Sequence, residues 1–231
     1  MTRTTGIPAA ALFGILLVAA PAAARGSEVK ETERVDRTVQ IRAGGQLKLK
    51  NFSGHVIISA SNRPDMAVHA VRRATRDRLD HIKLDIQETG SGVTIEANKK
   101  DGDWNERNDN VVETDFDIEV PADISVDVEV FSSDVAVKDV LGRQRVHTFS
   151  GDVEVTGGDK SIDAETFSGN ITLKLSQGAS AAIDFNSFSG SIQADVPLSY
   201  RSSDRRHVRA EIGGGGTDYN LKTFSGDVRI R

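Results

Sequence analysis

Apolar and polar residues alternate on both sides of a short motif that occurs six times along the chain. The motif is a phenylalanine followed by serine, and its six copies centre on Phe52, Phe131, Phe149, Phe167, Phe188 and Phe224. Apolar residues stand three positions before every one of these phenylalanines, and four and six positions after it. A period of two on both sides of a fixed centre predicts two half-buried strands joined by a bend.

The spacing between the copies indicates how the strands are arranged. From Phe131 onward the intervals are 18, 18, 21 and 36 residues, and we interpret the last as two periods with a degenerate coil between Phe188 and Phe224. A repeat of this length is typical of a solenoid, in which stacked coils cover each other's apolar faces. We therefore predict an all-β fold: a right-handed parallel β-solenoid of about 18–21-residue two-strand coils, with the phenylalanines stacked at one corner.

Glycine occupies the bend in five of the six copies, where it permits a positive φ at the corner. These corner glycines are Gly54, Gly151, Gly169, Gly190 and Gly226, and Ser133 stands in the remaining copy. The last copy in the sequence, "FSGDVRIR", is predicted to form the open end of the stack. There Arg229 and Arg231 would discourage edge-to-edge pairing, although the same edge could instead accept a strand from a partner.

The region before the repeats is less regular. Strands are predicted between residues 38 and 120 with a helical turn at 75–80, whereas the polar residues 25–36 are expected to be frayed. Trp104 lies in a charged loop at 99–110, either packed on the strands or exposed as a binding anchor. The predicted division is a signal peptide at 1–24, an irregular N-terminal β module at 25–121 and a β-solenoid repeat region at 122–231.

The first residues predict export. Arg3 precedes an apolar run at 7–20, and Ala22 to Ala24 offer a small-residue cleavage site, as in a secretory signal peptide; an uncleaved anchor is the alternative. No later segment is apolar enough to span a membrane, so the mature chain is expected to have no membrane span. The chain has no cysteine and a net charge of −5, which gives no indication of disulfides or of nucleic-acid binding.

Candidate chemistry is sparse. The histidines lack metal-ligand spacing, and the repeated serines lack a nucleophile-elbow motif, so we predict no catalytic, metal or cofactor site. Outward-facing positions do collect charge: Arg145, Asp163, Glu165 and Asp184 form a possible ligand face. If the coils stack in sequence order, Asp163 and Asp184 are direct neighbours, and such a pair could hold a cation or a sugar.

The order and the sequences of these segments resemble those of a known family. The segments that carry the resemblance are "NFSGHVIISASNRPDMAVHAVRR", then "DFDIEVPADISVDVEVFSSDVAV", then copies of T-F-S-G-D-V. The chain resembles the bacterial β-strand-repeat family called putative adhesins, whose function is unknown. The likeness covers about residues 37–231 and implies the solenoid fold. Family copies more often read T-V-N-G-D-V, so Phe-Ser-Gly at the bend is a departure. The resemblance brings no catalytic residues with it.

Together these features predict an exported, non-enzymatic protein that binds or scaffolds in the bacterial cell envelope, either in the periplasm or at the cell surface. Its partner would be an envelope protein or a glycan. One alternative is a polysaccharide-active enzyme that uses Arg145, Asp163, Glu165 and Asp184. Another is an envelope-stress sensor that contacts a partner through a basic patch, formed by Arg201, Arg205, Arg206 and Arg209.

Overall fold

The computed structural model describes residues 30–101, 111–204 and 206–231, so the predicted signal peptide, Trp104 and Arg205 lie outside the described residues. Within these ranges the chain forms seventeen strands and one short helix. In chain order they are β1 (Glu31–Val39), β2 (Gln46–Ser61), β3 (Met66–Ala74), α1 (Arg76–His81), β4 (Ile82–Thr89), β5 (Gly92–Lys100), β6 (Glu113–Pro121), β7 (Ser125–Lys138), β8 (Gln144–Ser150), β9 (Val153–Thr156), β10 (Ile162–Ser168), β11 (Ile171–Lys174), β12 (Ala181–Ser189), β13 (Ile192–Ala194), β14 (Ser199–Ser203), β15 (His207–Ile212), β16 (Thr217–Ser225) and β17 (Val228–Ile230). The predicted all-β class is confirmed.

The repeats pair in parallel and in register. In the strands before the corner, Val126 of β7 lies opposite Gln144 of β8, which in turn lies opposite Ile162 of β10. In the strands after the corner, β7 pairs with β9, and β9 pairs with β11. Each repeat thus contributes one strand to each side of a solenoid-like stack, and the two sides meet at the corner motif.

The apolar stripes of the two sides form one continuous core. Side chains three positions before and four positions after each phenylalanine, such as Val128, Val146, Val135 and Val153, are at most 2% exposed and belong to a single cluster, except the partly exposed Ile192. Burying an aliphatic side chain of this size stabilises a fold by about 1.5–3 kcal/mol relative to exposure. Core packing therefore holds the coils together in a chain that has no cysteine.

β2 extends this stack on the N-terminal side. It pairs in parallel with β7 from Gln46 to Ser59, through the same corner that the later repeats share. Its first half also pairs with β5 and its second half with β6, both in parallel. One sheet therefore runs from the N-terminal strands into the repeats without interruption.

The prediction that residues 25–36 are frayed is wrong for the part that the structure describes. Strand β1 begins at Glu31 and pairs antiparallel with β3 along its whole length. Nearly all of its side chains are exposed, so β1 shows no alternation of apolar and polar residues. Backbone pairing at the edge of the sheet, rather than burial, forms this strand, and for that reason the hydrophobic pattern missed it.

The predicted stacking order of the last coils is also wrong. β16 lies between β10 and β12, and β17 lies between β11 and β13, so the last copy in the sequence is inside the stack. The residues interpreted as a degenerate coil instead form the β14–β15 hairpin, with β15 antiparallel to the outer edge of β12. Val208, Ala210 and Ile212 of β15 are buried there, so the hairpin covers the end of the core. The prediction that Arg229 and Arg231 discourage pairing at an open edge is consequently wrong, because β17 is paired on both sides.

Candidate functional site: the phenylalanine ladder

The six repeated phenylalanines stack into one row, which we call the phenylalanine ladder. Neighbouring ring centroids are 4.6–4.9 Å apart, and the ring planes are inclined by only 1–17°. Each side chain is 40–54% exposed. The spatial order is Phe52, Phe131, Phe149, Phe167, Phe224, Phe188, because the last coil is inserted between the two before it.

The residue before each phenylalanine explains why the rings point outward. All six of these residues are at least 90% buried: Asn51, Val130, Thr148, Thr166, Ser187 and Thr223. Since successive side chains of a strand point to opposite faces, the phenylalanine that follows must point to solvent. The Thr148 hydroxyl donates to the carbonyl of Ser133, 3.3 Å away, and the Thr166 hydroxyl donates to Gly151, 3.1 Å away. Sequence analysis missed this inner row, although Thr precedes Phe in three copies.

The corner glycines allow adjacent coils to approach closely. Gly151 has a φ of 145°, and a Cβ atom there would lie 2.1 Å from the carbonyl oxygen of Ser133. At the other four corner glycines the nearest carbonyl oxygen would lie 1.9–2.1 Å away. Ser133 is the exception, and its buried hydroxyl has no hydrogen-bond partner among the described residues.

One border of the ladder is a row of Asp and Asn residues, which we call the corner acidic row: Asp134, Asp152, Asn170 and Asp227. Each Oδ1 accepts a hydrogen bond from the backbone N–H of the equivalent residue in the next coil, at 2.7–3.0 Å. These bonds link coil to coil and fix the side chains in line. The row places three carboxylates along one side of the aromatic edge.

The opposite border is a shallow groove with a volume of about 550 Å³. It is lined by Phe131, Phe149 and Phe167 together with Lys50, Asn51, Glu129, Val130, His147, Thr148 and Glu165. The Lys50 ammonium lies 3.1 Å from the Glu129 carboxylate. This hydrogen bond and the negative charge of Glu129 raise the pKa of Lys50 above its ordinary value.

The predicted ligand face is not one cluster. Asn220 of β16 lies between Asp163 and Asp184, so the expected adjacency of the two carboxylates is wrong. Asp163 lies 3.8 Å from the Arg145 guanidinium. Glu165 lines the groove, two positions from Asp163.

Asp184 is ion-paired with residues of β15 at the end of the stack. Its carboxylate lies 3.0 Å from the His207 ring and 3.1 Å from the Arg209 guanidinium, both on β15. Burial acts to raise the pKa of Asp184, but the hydrogen bond from Arg209 and the interactions with His207 outweigh it and leave the pKa below its usual value. Such a carboxyl group stays ionised and is poorly suited to act as a general acid.

The predicted basic patch is largely paired as well. The Arg201 guanidinium makes two hydrogen bonds to the Glu211 carboxylate, at 2.9 and 2.7 Å, and these lower the pKa of Glu211. Arg206 lies with its guanidinium carbon 4.4 Å from the centroid of the Phe188 ring, so it covers the outer end of the ladder.

Within residues 30–101, 111–204 and 206–231, no group of three or more potential metal-ligating side chains comes together. No helix in these ranges has the length and apolar character needed to cross a membrane.

Fold and site together define a class: an all-β repeat protein whose stacked coils present a continuous aromatic edge. Residues 112–231, just over half of the chain, match the Toastrack DUF4097 family model, and the chain belongs to this family. The resemblance drawn from the repeat motifs is thereby confirmed.

One solved structure supports the same fold. A protein from Clostridium sporogenes described as a putative cell adhesion protein superimposes with a TM-score of 0.67 at 12% identity, covering 87% of this chain and 99% of the other. A putative adhesin from Bacteroides fragilis matches with a TM-score of 0.36 at 10% identity, covering 86% of this chain and 97% of the other. No curated protein sequence matches the chain.

Proposed function

We propose that the protein is a non-enzymatic, exported binding protein or scaffold of the bacterial cell envelope, and that the phenylalanine ladder with its two charged borders is its binding surface. The observation that carries the proposal is the ladder itself, six stacked rings that are each 40–54% exposed. A contiguous exposed apolar surface rimmed by polar groups marks an interaction site in soluble proteins. The name of the Clostridium sporogenes protein is consistent with such a role.

The stacking of the rings supports one kind of partner over another. Each inner ring has both faces against its neighbours, and Arg206 covers the outer face of Phe188. Sugars that stack on aromatic residues need free ring faces, whereas this ladder offers mainly ring edges. Edges of aromatic rings pack well against aliphatic side chains and against the faces of other rings. The geometry therefore favours a protein partner over a glycan.

The borders add a charge preference. The corner acidic row contributes Asp134, Asp152 and Asp227, and the groove contributes Glu129 and Glu165. Lys50 pairs with Glu129 and Lys222 lies opposite Glu165, so the groove border is balanced in charge, whereas the corner acidic row carries three carboxylates. We propose that the partner is an extended envelope-protein segment with apolar side chains toward the rings and Lys or Arg toward the corner acidic row.

The finer organisation belongs to the same proposal. We propose that the coils turn right-handed with about 18–21 residues each, as expected for parallel crossovers. The repeat region at 122–231 carries five of the six rings, and the N-terminal module at 25–121 contributes Phe52. Glu165 lines the binding groove, Asp163 lies between Arg145 and the groove residue His147, and Asp184 pairs with Arg209 at the end of the stack.

Export is proposed on the first 24 residues, whose layout is that of a signal peptide. Expression of the full chain in a bacterial host should yield a periplasmic form that starts at residue 25. Intact mass measurement of the periplasmic and membrane fractions tests this. A membrane-bound form that retains residues 1–24 would contradict it.

The ladder is tested with a fluorescent peptide in which Leu alternates with Lys, and binding is followed by anisotropy at low and at high salt. Replacing both central rings, Phe149→Ser with Phe167→Ser, should weaken binding at least about tenfold, because an aromatic anchor in an interface contributes about 2 kcal/mol or more. A peptide that alternates Leu with Glu should bind at least about tenfold more weakly than the Lys peptide.

A matched control keeps this experiment specific. Leu141→Ser and Tyr200→Ser also remove exposed apolar side chains, but these lie outside the ladder and should leave binding unchanged. Unchanged binding by the Phe149 and Phe167 double variant would refute the ladder as the binding surface. Neutral or acidic oligosaccharides that bind and are lost with the same double variant would assign the surface to glycans instead.

A further inference from the structure

The last coil of the sequence sits inside the stack rather than at its end. We call residues 217–230, which form β16 and β17, the inserted coil. Hydrogen bonds hold it on both sides: the Ile171 N–H donates to Asp227, 3.0 Å away, and the Val228 N–H donates to Ser191, 2.8 Å away. In the part of the chain that the structure describes, the strands of the Phe167 and Phe188 coils are connected across the sheet through this coil.

The inserted coil fills a slot that the rest of the chain shapes for it. Tyr219, Leu221, Val228 and Ile230 are at most 2% exposed, and the Tyr219 hydroxyl donates to the Gly158 carbonyl, 3.0 Å away. Without this coil, β10, β11 and β12 would each expose one unpaired edge, β13 would lose the pairing that it makes in the described residues, and part of the core would be exposed. Two facing rows of unpaired backbone groups accept a strand of the right side-chain pattern, whichever chain supplies it.

A run of four glycines leads into the inserted coil. The connection between β15 and β16 consists of Gly213, Gly214, Gly215 and Gly216. All four have positive φ, from 59° to 148°. Glycine populates many backbone conformations at little cost, so this hinge can also adopt an extended path. Four extended residues span about 13 Å, enough to carry the coil away from its own slot.

We propose that two copies of this chain exchange their inserted coils and form a reciprocal dimer. The contacts of the coil in its slot are the same in both arrangements, so the balance between monomer and dimer depends on the hinge and on protein concentration. Exchange occurs during folding, because β10 to β15 precede the inserted coil in the sequence and the slot must stay open until it arrives. This proposal is independent of the ligand of the phenylalanine ladder.

The absence of cysteine from the chain permits a direct test. Glu165 of β10 and Lys222 of β16 are exposed register partners in adjacent parallel strands. One full chain carries Glu165→Cys and a second carries Lys222→Cys, and the two are unfolded in urea, mixed, refolded at high concentration and oxidised. Exchange brings the two cysteines together between chains, so a disulfide-linked heterodimer is expected on a non-reducing gel.

The control pairs Lys222→Cys with Lys48→Cys, an exposed position of β2 whose neighbour is Asp127 rather than β16. The heterodimer yield of the Glu165 and Lys222 pair should exceed that of the control at least about tenfold, since only this pair is aligned by the sheet. Equal yields in the two mixtures would show random oxidation and would overturn the proposal. A single chain with both changes should form the internal disulfide, which checks that the register is retained.

Shortening the hinge provides a second measurement. Deleting Gly214 and Gly215 strains the path back into the chain's own slot, and it should raise the dimer fraction several-fold in light scattering coupled to size exclusion. Monomer alone from both the natural and the shortened hinge, together with no cross-linked heterodimer, would overturn the proposal.

Discussion

At the scale of single residues, the corner motif allows the backbones of adjacent coils to approach closely. Thr148 and Thr166 point inward and donate hydrogen bonds to carbonyl oxygens of the preceding coil. The phenylalanines that follow them point outward. The glycine two positions after each phenylalanine has no Cβ and leaves room for a carbonyl oxygen of the adjacent coil. The strand spacing of about 4.8 Å also sets the spacing of the rings. The ladder is therefore a direct consequence of a motif repeated in register.

Gly151 offers the clearest test of this close approach. Gly151→Ala should lower the free energy of unfolding by more than about 1 kcal/mol, because the new Cβ meets a backbone oxygen and the positive φ disfavours alanine. Urea denaturation measures the change. Gly90→Ala is the matched control: its Cβ would meet nothing within 4 Å, and its effect should stay within about 0.5 kcal/mol. A loss at Gly151 no larger than that at Gly90 would contradict the role of the corner.

At the scale of elements, the ends of the stack are treated differently from its middle. Inner strands pair in parallel on both sides, whereas the end beyond β12 is covered by the antiparallel β14–β15 hairpin. Ion pairs fasten this hairpin: Asp184 with Arg209 and His207, and Arg201 with Glu211. Both carboxyl groups have pKa values below their ordinary range because of these partners.

The hairpin should consequently become less stable in acid. A carboxyl group whose pKa is lower in the folded state stabilises that state above its unfolded pKa, about 3.9 for Asp and 4.3 for Glu, and loses this effect as the pH falls through the folded pKa. Asp184→Asn should lower the free energy of unfolding by roughly 0.5–1 kcal/mol at pH 7, the range of partly exposed ion pairs. Its effect should be smaller at pH 3, as measured by urea denaturation at both values.

The control for this variant is Asp159→Asn, in the loop between β9 and β10, for which the structure gives no ion pair among the described residues. Because that change removes a carboxyl group without breaking an ion pair, it should lower the free energy of unfolding at pH 7 by less than Asp184→Asn does. An Asp184→Asn penalty of equal size at both pH values would rule out the electrostatic explanation.

At the scale of the whole molecule, the order of coils in space differs from their order in the sequence. The coil of Phe224 is sandwiched between those of Phe167 and Phe188, and the sheet edge beside it is β13 rather than the last strand. β13 pairs on one side only within the described residues, and Ile192 and Ala194 are partly exposed. The inserted coil is thus held by more contacts than several strands that precede it.

Hydrogen exchange detected by mass spectrometry should reveal this arrangement. Amides of Leu221–Ile230 are expected to exchange at least about tenfold more slowly than those of Ile192–Ala194 and Ser199–Ser203, because pairing on both sides and burial of the inward-facing side chains resist local opening. The corresponding strands of the Phe149 coil provide an internal reference for a fully paired position. Faster exchange in the inserted coil than in β13 would place it at an edge and contradict the structure.

Much of this architecture was predictable from the positions of apolar residues. Val128, Val146 and Ala164 stand at the same place in successive repeats, and they pack in one core because identical period-two patterns are buried in the same way. The aromatic ladder followed from the spacing of the phenylalanines. The outward direction of the rings was also accessible, since Thr148 and Thr166 occupy the inward position immediately before them.

The repeats specify their own strands, corner and register, because each of these features is encoded within a single repeat of about 18 residues. Which repeats become neighbours depends on long-range packing, as do the pairing of β1 and the β14–β15 hairpin. The coils of Phe167, Phe188 and Phe224 have equivalent apolar stripes, so each could pack on either of the others, and a local pattern does not distinguish these choices. The β14–β15 hairpin pairs with the outer edge of β12, and the last coil lies in the slot between β10 and β12. This order separates Asp163 from Asp184 and places Asn220 between them.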